Sequence, residues 1–399
     1  MFAAMSFTRV ESIQHEIRRH YRALRAIRTR KALERSALWA EIGGEVNRVL
    51  EGVERGDHAP VAVAPGPRPR ELRAVAWNIQ RGARLDDLRR VVVAPPFADA
   101  DLFLLTEVDV GVGRSGNRNV ARELAESLGM SYAFGVSYLA LTDDFGDDAA
   151  GRENTLALSG AAIMSRYPIG RVENVDLTEI RDKFHSSEKR LGKKRALLAE
   201  IALPDEPLVV AACHLDSTAS PAQRARQLGE VLDRVDRSGV SRALVGGDFN
   251  ASTYDVSSTP ALARDLLHKL LVTGFRATVD QYLTPEKRYE RPVFDLLRAR
   301  DFAVEGFNDR ALGTYFYDLT DPYVLDRSRK LVGRLLTRLL VRLLRPWKGC
   351  VPARLDWFAG RNLTPVAATV ERPRAAADGR PLSDHSAIIV DVAIPNVAG

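Results

Sequence analysis

The side chains best suited to chemistry sit in short polar blocks that close apolar runs. They are Asn78 in AWNIQRG, Glu107 in LLTEVD, His214 with Asp216 in CHLDS, Asp248 and Asn250 in GGDFN, Asp356 in RLDWF, and Asp384 with His385 in LSDHS. Carboxylate and amide oxygens are hard donors, the kind Mg2+ or Mn2+ takes when it must also hold a phosphate oxygen. Imidazoles titrate near neutrality and can move or share a proton at pH 7. Neither CxxC nor HExxH occurs, which argues against a zinc site of the usual spacings. Singly, each block has a plain structural reading, since an Asp after a strand often caps a turn or helix. Jointly, so many donors at the ends of apolar runs point to groups gathered from distant parts of the chain.

Gathering them requires a sheet. From Glu71 onward, short β-branched runs such as LRAVAWN, DLFLLTE, SGAAIMS, LVVAACH, RALVGGDFN and SAIIVDV alternate with helical stretches at 119–128 and 221–235. This texture predicts an α/β catalytic domain over 71–399. Upstream, residues 1–58 read as a basic helical segment. Ile13, Ile17, Tyr21, Leu24 and Ile27 recur at helical steps, a helix is expected from about Ser6 to Glu54, and Gly43-Gly44 is its one candidate break. Residues 59–70 read as a proline-rich linker. The stretch from Asp143 to Asn154 reads as a solvated acidic loop.

The 399 residues are 45% hydrophobic and 28% charged, an ordinary globular mix. Two cysteines, Cys213 and Cys350, exclude a disulfide scaffold. The absence of a long uncharged apolar run and of a secretory leader makes a cytoplasmic protein the expectation. The net charge of +6 is unevenly spread: 18–35 holds eight basic residues and one acidic, and 327–348 holds eight basic and none acidic. The remainder is therefore acidic, and the two segments are local patches suited to phosphates, anionic lipid or the protein's own acidic surface.

In order and spacing, WNIQRG, LLTEVD, CHLD, GGDFN, RLDW and LSDH resemble the motifs of the endonuclease/exonuclease/phosphatase superfamily, and SGAAIMSRYPI resembles one of its strand–turn segments. The resemblance covers about Leu72 to Val392. It implies a four-layer αββα sandwich, here with an N-terminal helical extension. It also implies roles: Glu107 as main metal-binding carboxylate with Asn78 beside it and Asp384 close by; His385 as general base or electrostatic partner of the attacking water, oriented by Asp356; Asp248 positioning that water; Asn250 and His214 on phosphoryl oxygens. Arg195 stands where some members carry a phosphate-facing arginine. Gly160-Ala161 departs from the Gly-Asn of many members. Trp357 and Phe358 read as core aromatics rather than a base-stacking platform.

The activity implied is metal-dependent hydrolysis of a phosphate ester, nuclease-like first, with a membrane-associated phospholipid, sphingomyelin or inositol phosphate substrate as the alternative. An inactive binding module on the same scaffold is disfavoured, because it has no need for so complete a donor set. In KLVGRLLTRLLVRLLRPWKGC, Arg334, Arg338, Arg342 and Arg345 line one helical face. That insertion, near 327–348, either packs its leucines on the domain or a partner or lies at a membrane surface. Residues 18–35 carry the same alternatives of nucleic acid, anionic lipid or a docking helix.

Overall fold

The computed structural model describes residues 11–58, 71–143, 151–251, 281–287, 289–320 and 333–394, with single positions between 264 and 329. The 59–70 linker and most of the acidic loop lie outside the described residues.

The N-terminal segment is not one helix. A short turn at Ile17–His20 leads into α1 (Tyr21–Ala26), α2 (Arg30–Glu34) and α3 (Ala37–Leu50), and then into strand β1 (Val53–Asp57). The breaks fall where hydroxyl side chains compete for the backbone. Thr29 and Ser36 accept from the amides of Ala32 and Trp39 and so restart the helix. Gly43 and Gly44 lie inside α3; a Cβ at Gly43 would stand 2.9 Å from the Trp39 indole, so this glycine makes room for the ring.

The remaining strands are β2 (Glu71–Arg81), β3 (Leu102–Val110), β4 (Ser131–Ala140), β5 (Leu158–Ser165), β6 (Ile169–Asp176), β7 (Arg190–Gly192), β8 (Arg195–Ile201), β9 (Leu208–His214), β10 (Arg242–Asp248), β11 (Tyr315–Asp318), β12 (Cys350–Ala353), β13 (Asp356–Arg361), β14 (Thr364–Glu371) and β15 (Ala387–Ala393). The further helices used below are α4 (Leu85–Val92), α5 (Val120–Leu128), α6 (Pro221–Arg237), α7 (Arg291–Ala299) and α8 (Arg334–Leu343). One sheet runs β1-β4-β5-β3-β2-β15-β14 with β7 beside β4; the other runs β13-β10-β9-β8-β6; β11 and β12 form a separate ribbon.

Alternation along the strands builds four layers. Val75, Trp77, Phe103 and Leu105 face outward from the first sheet into a core with Leu24 of α1, Val46 of α3, Leu88 of α4 and Leu124 of α5. Their neighbours Ala74, Ala76, Leu102 and Leu104 face inward and meet Leu208, Val210, Ala212 and Leu244 of the second sheet. Val209, Ala211, Ala243 and Val245 face out again, onto Leu228 and Val231 of α6 and Phe294 of α7. This is the expected αββα sandwich. Each fully buried Leu, Val or Phe contributes about 1.5–3 kcal/mol, so a one-residue slip of any central strand would be prohibitive.

Part of the first basic segment is paired within the protein, while Arg22, Arg28, Lys31 and Arg35 stay exposed. Arg25 pairs with Asp143, Arg30 lies 3.6 Å from Glu179 and 3.5 Å from Asp182, and Arg18 lies 3.6 Å from Glu153. Lys189 donates to the carbonyls of Arg25 and Ile27, tying the segment to the chain just before β7.

Candidate active site

Strand direction explains why the polar blocks meet. β2 and β3 are parallel, as are β9 and β10, so Asn78, Glu107, His214 and Asp248 come toward one end of the sandwich. β13 runs antiparallel to β10 and brings Asp356, its first residue, opposite Asp248. Asp248 also stands opposite His214. β15 runs antiparallel to β2, so the residues just before it, Asp384 and His385, arrive at the same end. Gly247 lets β10 approach this closely: its φ is +130° and a Cβ there would lie 2.3 Å from the Cys213 carbonyl oxygen.

Asp248 is the hub. Its Oδ2 accepts from Asn78 Nδ2 at 3.1 Å and lies 3.4 Å from His214 Nε2 and 3.8 Å from His385 Nε2. Its Oδ1 accepts from the Asn250 amide at 2.9 Å. Asn250, at φ +50°, donates its side-chain amide to the Leu215 carbonyl, 2.9 Å away. On the far side of the imidazole, His385 Nδ1 lies 2.8 Å from Asp356 Oδ2.

Neighbours immobilise these groups. Thr314 Oγ1 accepts from the amide of Asp356 at 3.1 Å, and the Thr314 carbonyl accepts from Ser386 N at 2.7 Å. Ser383 donates to the Asn78 carbonyl at 2.6 Å and accepts from His385 N at 3.1 Å, stapling LSDH to β2. Trp77 Nε1 donates to the His385 carbonyl at 3.0 Å. The Tyr315 ring lies 5.3 Å from the His385 ring.

Glu107 is placed by a bulge. The pairings of β3 with both neighbours shift register around it, and its φ is +51°. Bulges re-aim a side chain at a sheet end. Arg81 Nε lies 3.9 Å from its carboxylate.

Against known proteins, the model of the Endonuclease/Exonuclease/phosphatase family matches residues 75–385. The chain belongs to this family. Among solved structures it is similar to an endonuclease/exonuclease/phosphatase from Beutenbergia cavernae, at 18% identity over 82% of this chain and 72% of that one, with a TM-score of 0.49. It is also similar to a family member from Bacteroides vulgatus, at 13% identity over 82% and 100% with a TM-score of 0.46. A humanized D. rerio TDP2 matches at 15% identity over 81% and 99%, with a TM-score of 0.45. No curated protein matches. Members of the endonuclease/exonuclease/phosphatase family are in general hydrolases of phosphoester bonds.

Within this family member the electrostatics separate the two histidines. Burial and the nearby Lys194 push His214 down to about 4. Burial also works against a charged His385, but Asp356 and Asp248 outweigh it and hold His385 well above the usual histidine range. Burial likewise opposes ionised Glu107, and Arg81, His214, Arg190 and Lys194 overcome it, holding that carboxyl well below its ordinary value. Burial pushes the Lys194 ammonium down to about 8 against the pull of Asp216, Glu107 and Asp248.

The donor set fits a hard divalent cation. Asp384 stands exposed at the rim, where flanking protein and the carboxylates of Glu107 and Asp248 raise its pKa; a dication would relieve that crowding. Glu107, Asn78 and Asp384 are the residues the motifs suggest. The structure adds a second grouping, Asp248, Asp356 and His385, whose donor atoms lie within 4.8 Å of one another. In that grouping the Asp356–His385 hydrogen bond already uses two of the donors, so it reads as a proton-handling pair. Asp356 Oδ1 is buried with no hydrogen-bond partner.

Arg195 is the one expected site residue that the structure does not bring to the cluster. Its guanidinium is held by Asp176 and by the Val136 carbonyl at 3.3 Å. Trp357 is fully buried, edge-on to Phe294 at 4.7 Å, and Phe358 is buried between the sheets. The sequence reading missed Lys194, Arg81, Thr314, Ser383 and Tyr315. Ser383 and Arg81 lay inside quoted motifs; the other three carried no local signal.

Proposed function

We propose that this chain is a divalent-metal-dependent phosphoesterase that cleaves a phosphodiester or phosphomonoester by in-line attack of water. The observation that supports this reading best is the convergence of Asn78, His214, Asn250 and the His385–Asp356 pair on Asp248. Water held at Asp248 would be oriented by a fixed carboxylate. His385, braced by Asp356 and Ser383, presents Nε2 to the same spot and stabilises charge gathering on the phosphoryl oxygens. His214 and the amides of Asn78 and Asn250 face that region as hydrogen-bonding groups. Lys194 adds a positive charge opposite Glu107 and Asp248. Bound Mg2+ or Mn2+, on Glu107 with Asn78 and Asp384, would supply Lewis-acid stabilisation of the developing charge.

Nucleic acid is the first substrate class for this reading, in line with the nuclease members whose motifs this chain resembles. A lipid or inositol phosphate ester is the second, favoured by Leu335 of α8, which is 82% exposed. The deciding experiment is a panel of single- and double-stranded DNA, RNA, sphingomyelin, phospholipid and inositol phosphates, each with Mg2+, Mn2+ or EDTA. Turnover of at least one ester with metal and none with EDTA is expected. No turnover of any ester under all metals, from protein shown to bind Mn2+, would leave only the binding-module reading.

A further inference from the structure

The second basic segment is built differently from the first. It folds as α8 followed by a turn at Arg345–Trp347. One face packs inward: Leu344 is buried with Tyr282, Leu319 and Val351, and Leu340 and Trp347 rest on them. The opposite face is open, with Leu335 82% exposed and Leu339 exposed beside it. Leu335 and Leu339 stand one turn apart, and Arg338 and Arg342 fall on the same side of the helix.

The charges on this face have no internal use. Among the described residues, Arg334, Arg338, Arg342 and Arg345 form no ion pair or hydrogen bond through their side chains, and no acidic residue occurs from 327 to 348. In the N-terminal segment Arg18, Arg25 and Arg30 meet Glu153, Asp143, Glu179 and Asp182, and although Arg22, Arg28, Lys31 and Arg35 are exposed there too, no large hydrophobic side chain is exposed among them. Unpaired guanidiniums call for an anionic partner. Bare leucines among them call for a partner with hydrocarbon beneath its charge. A nucleic-acid backbone offers the first without the second; a bilayer containing anionic lipid offers both.

We infer that α8 is a docking surface for an anionic lipid bilayer, with Leu335 and Leu339 entering the headgroup boundary and Arg334, Arg338, Arg342 and Arg345 among the lipid phosphates. The placement matters for the site. α8 packs with the β11–β12 ribbon, and β11 begins at Tyr315, whose ring lies 5.3 Å from His385. Docking through α8 brings the bilayer to the ribbon that borders the candidate active site. This inference goes beyond the proposed hydrolysis and stands independently of it, because adhesion is read without turnover.

The test uses full-length protein with EDTA, sedimented with vesicles of phosphatidylcholine alone or with phosphatidylserine, and in parallel titrated with a fluorescent DNA duplex. Two variants accompany it, L335S/L339S and R338Q/R342Q; all four positions are exposed, and circular dichroism checks the fold. Wild type should sediment with phosphatidylserine vesicles and not with phosphatidylcholine alone. Each variant should lose affinity, R338Q/R342Q by about 30-fold. Three results would overturn the inference: no sedimentation of wild type, affinity for the duplex without affinity for vesicles, or loss on R338Q/R342Q with none on L335S/L339S, since charge alone would then account for adhesion.

Discussion

Asp356 and His385, 29 positions apart in sequence, meet through Oδ2 and Nδ1 at 2.8 Å, and the other imidazole nitrogen faces Asp248 at 3.8 Å. The carboxylate fixes the ring and favours its charged form. Asp356→Asn keeps the shape and removes the charge. We expect kcat/KM to fall by about 10²–10⁴, and the His385 pKa, read by histidine NMR, to move down. Retained activity with an unshifted His385 would remove Asp356 from the mechanism.

Glu107 reaches the site through a bulge at φ +51°, a backbone state held for the side chain it aims. Glu107→Gln should weaken Mn2+ binding at least about tenfold while the melting temperature stays near that of wild type. Calorimetric titration with Mn2+ gives the answer, and equal affinity would transfer the metal to Asp248 and its neighbours.

Glu188 lies beneath Arg81, which it meets at 3.3 Å, and also pairs with Arg114 and Arg190. Burial opposes its charge, but these arginines prevail and hold its carboxyl at about 2, below the ordinary 4.5. A depressed folded-state pKa contributes stability that is fully present above 4.5 and lost as pH falls through about 2. The contribution is on the order of 3 kcal/mol. Denaturant unfolding at stepped pH should show wild type losing stability across that window and Glu188→Gln losing less. Parallel curves for the two would refute the assignment.

Leu24 of α1 is fully buried in the core shared with α4, α5 and the first sheet. Leu24→Ala should therefore lower the unfolding free energy by about 2–5 kcal/mol. A change below about 0.5 kcal/mol, the usual effect of a surface substitution, would mean that the N-terminal helices do not belong to that core.

Much of this fold was legible because strands such as LRAVAWN and LVVAACH are short, largely apolar runs closed by polar residues, as expected of strands buried on both faces, and a sheet that buries both faces has few other registers to adopt. The N-terminal segment was read less well. Its apolar spacing is helical, but Thr29 and Ser36 act through local capping that periodicity does not register. The Val53–Asp57 strand is polar, VERGD, and becomes a strand only because β4 offers it an edge. Which arginines at 18–35 are paired was not legible either: the fold sets Arg25 against Asp143 and Arg30 against Glu179 and Asp182, and leaves Arg22, Arg28 and Arg35 exposed.

The sequence alone determined which chemical groups exist and in what order they recur at strand ends, since these are covalent facts that each strand expresses locally. Which of them share a pocket was decided by strand direction and register between segments far apart. Lys194 and Arg195 make the point: adjacent on the chain, they fall on opposite sides of an extended backbone. The pairing of β8 with β6 sets Arg195 across from Asp176, and Lys194 is left to face Glu107 and Asp248.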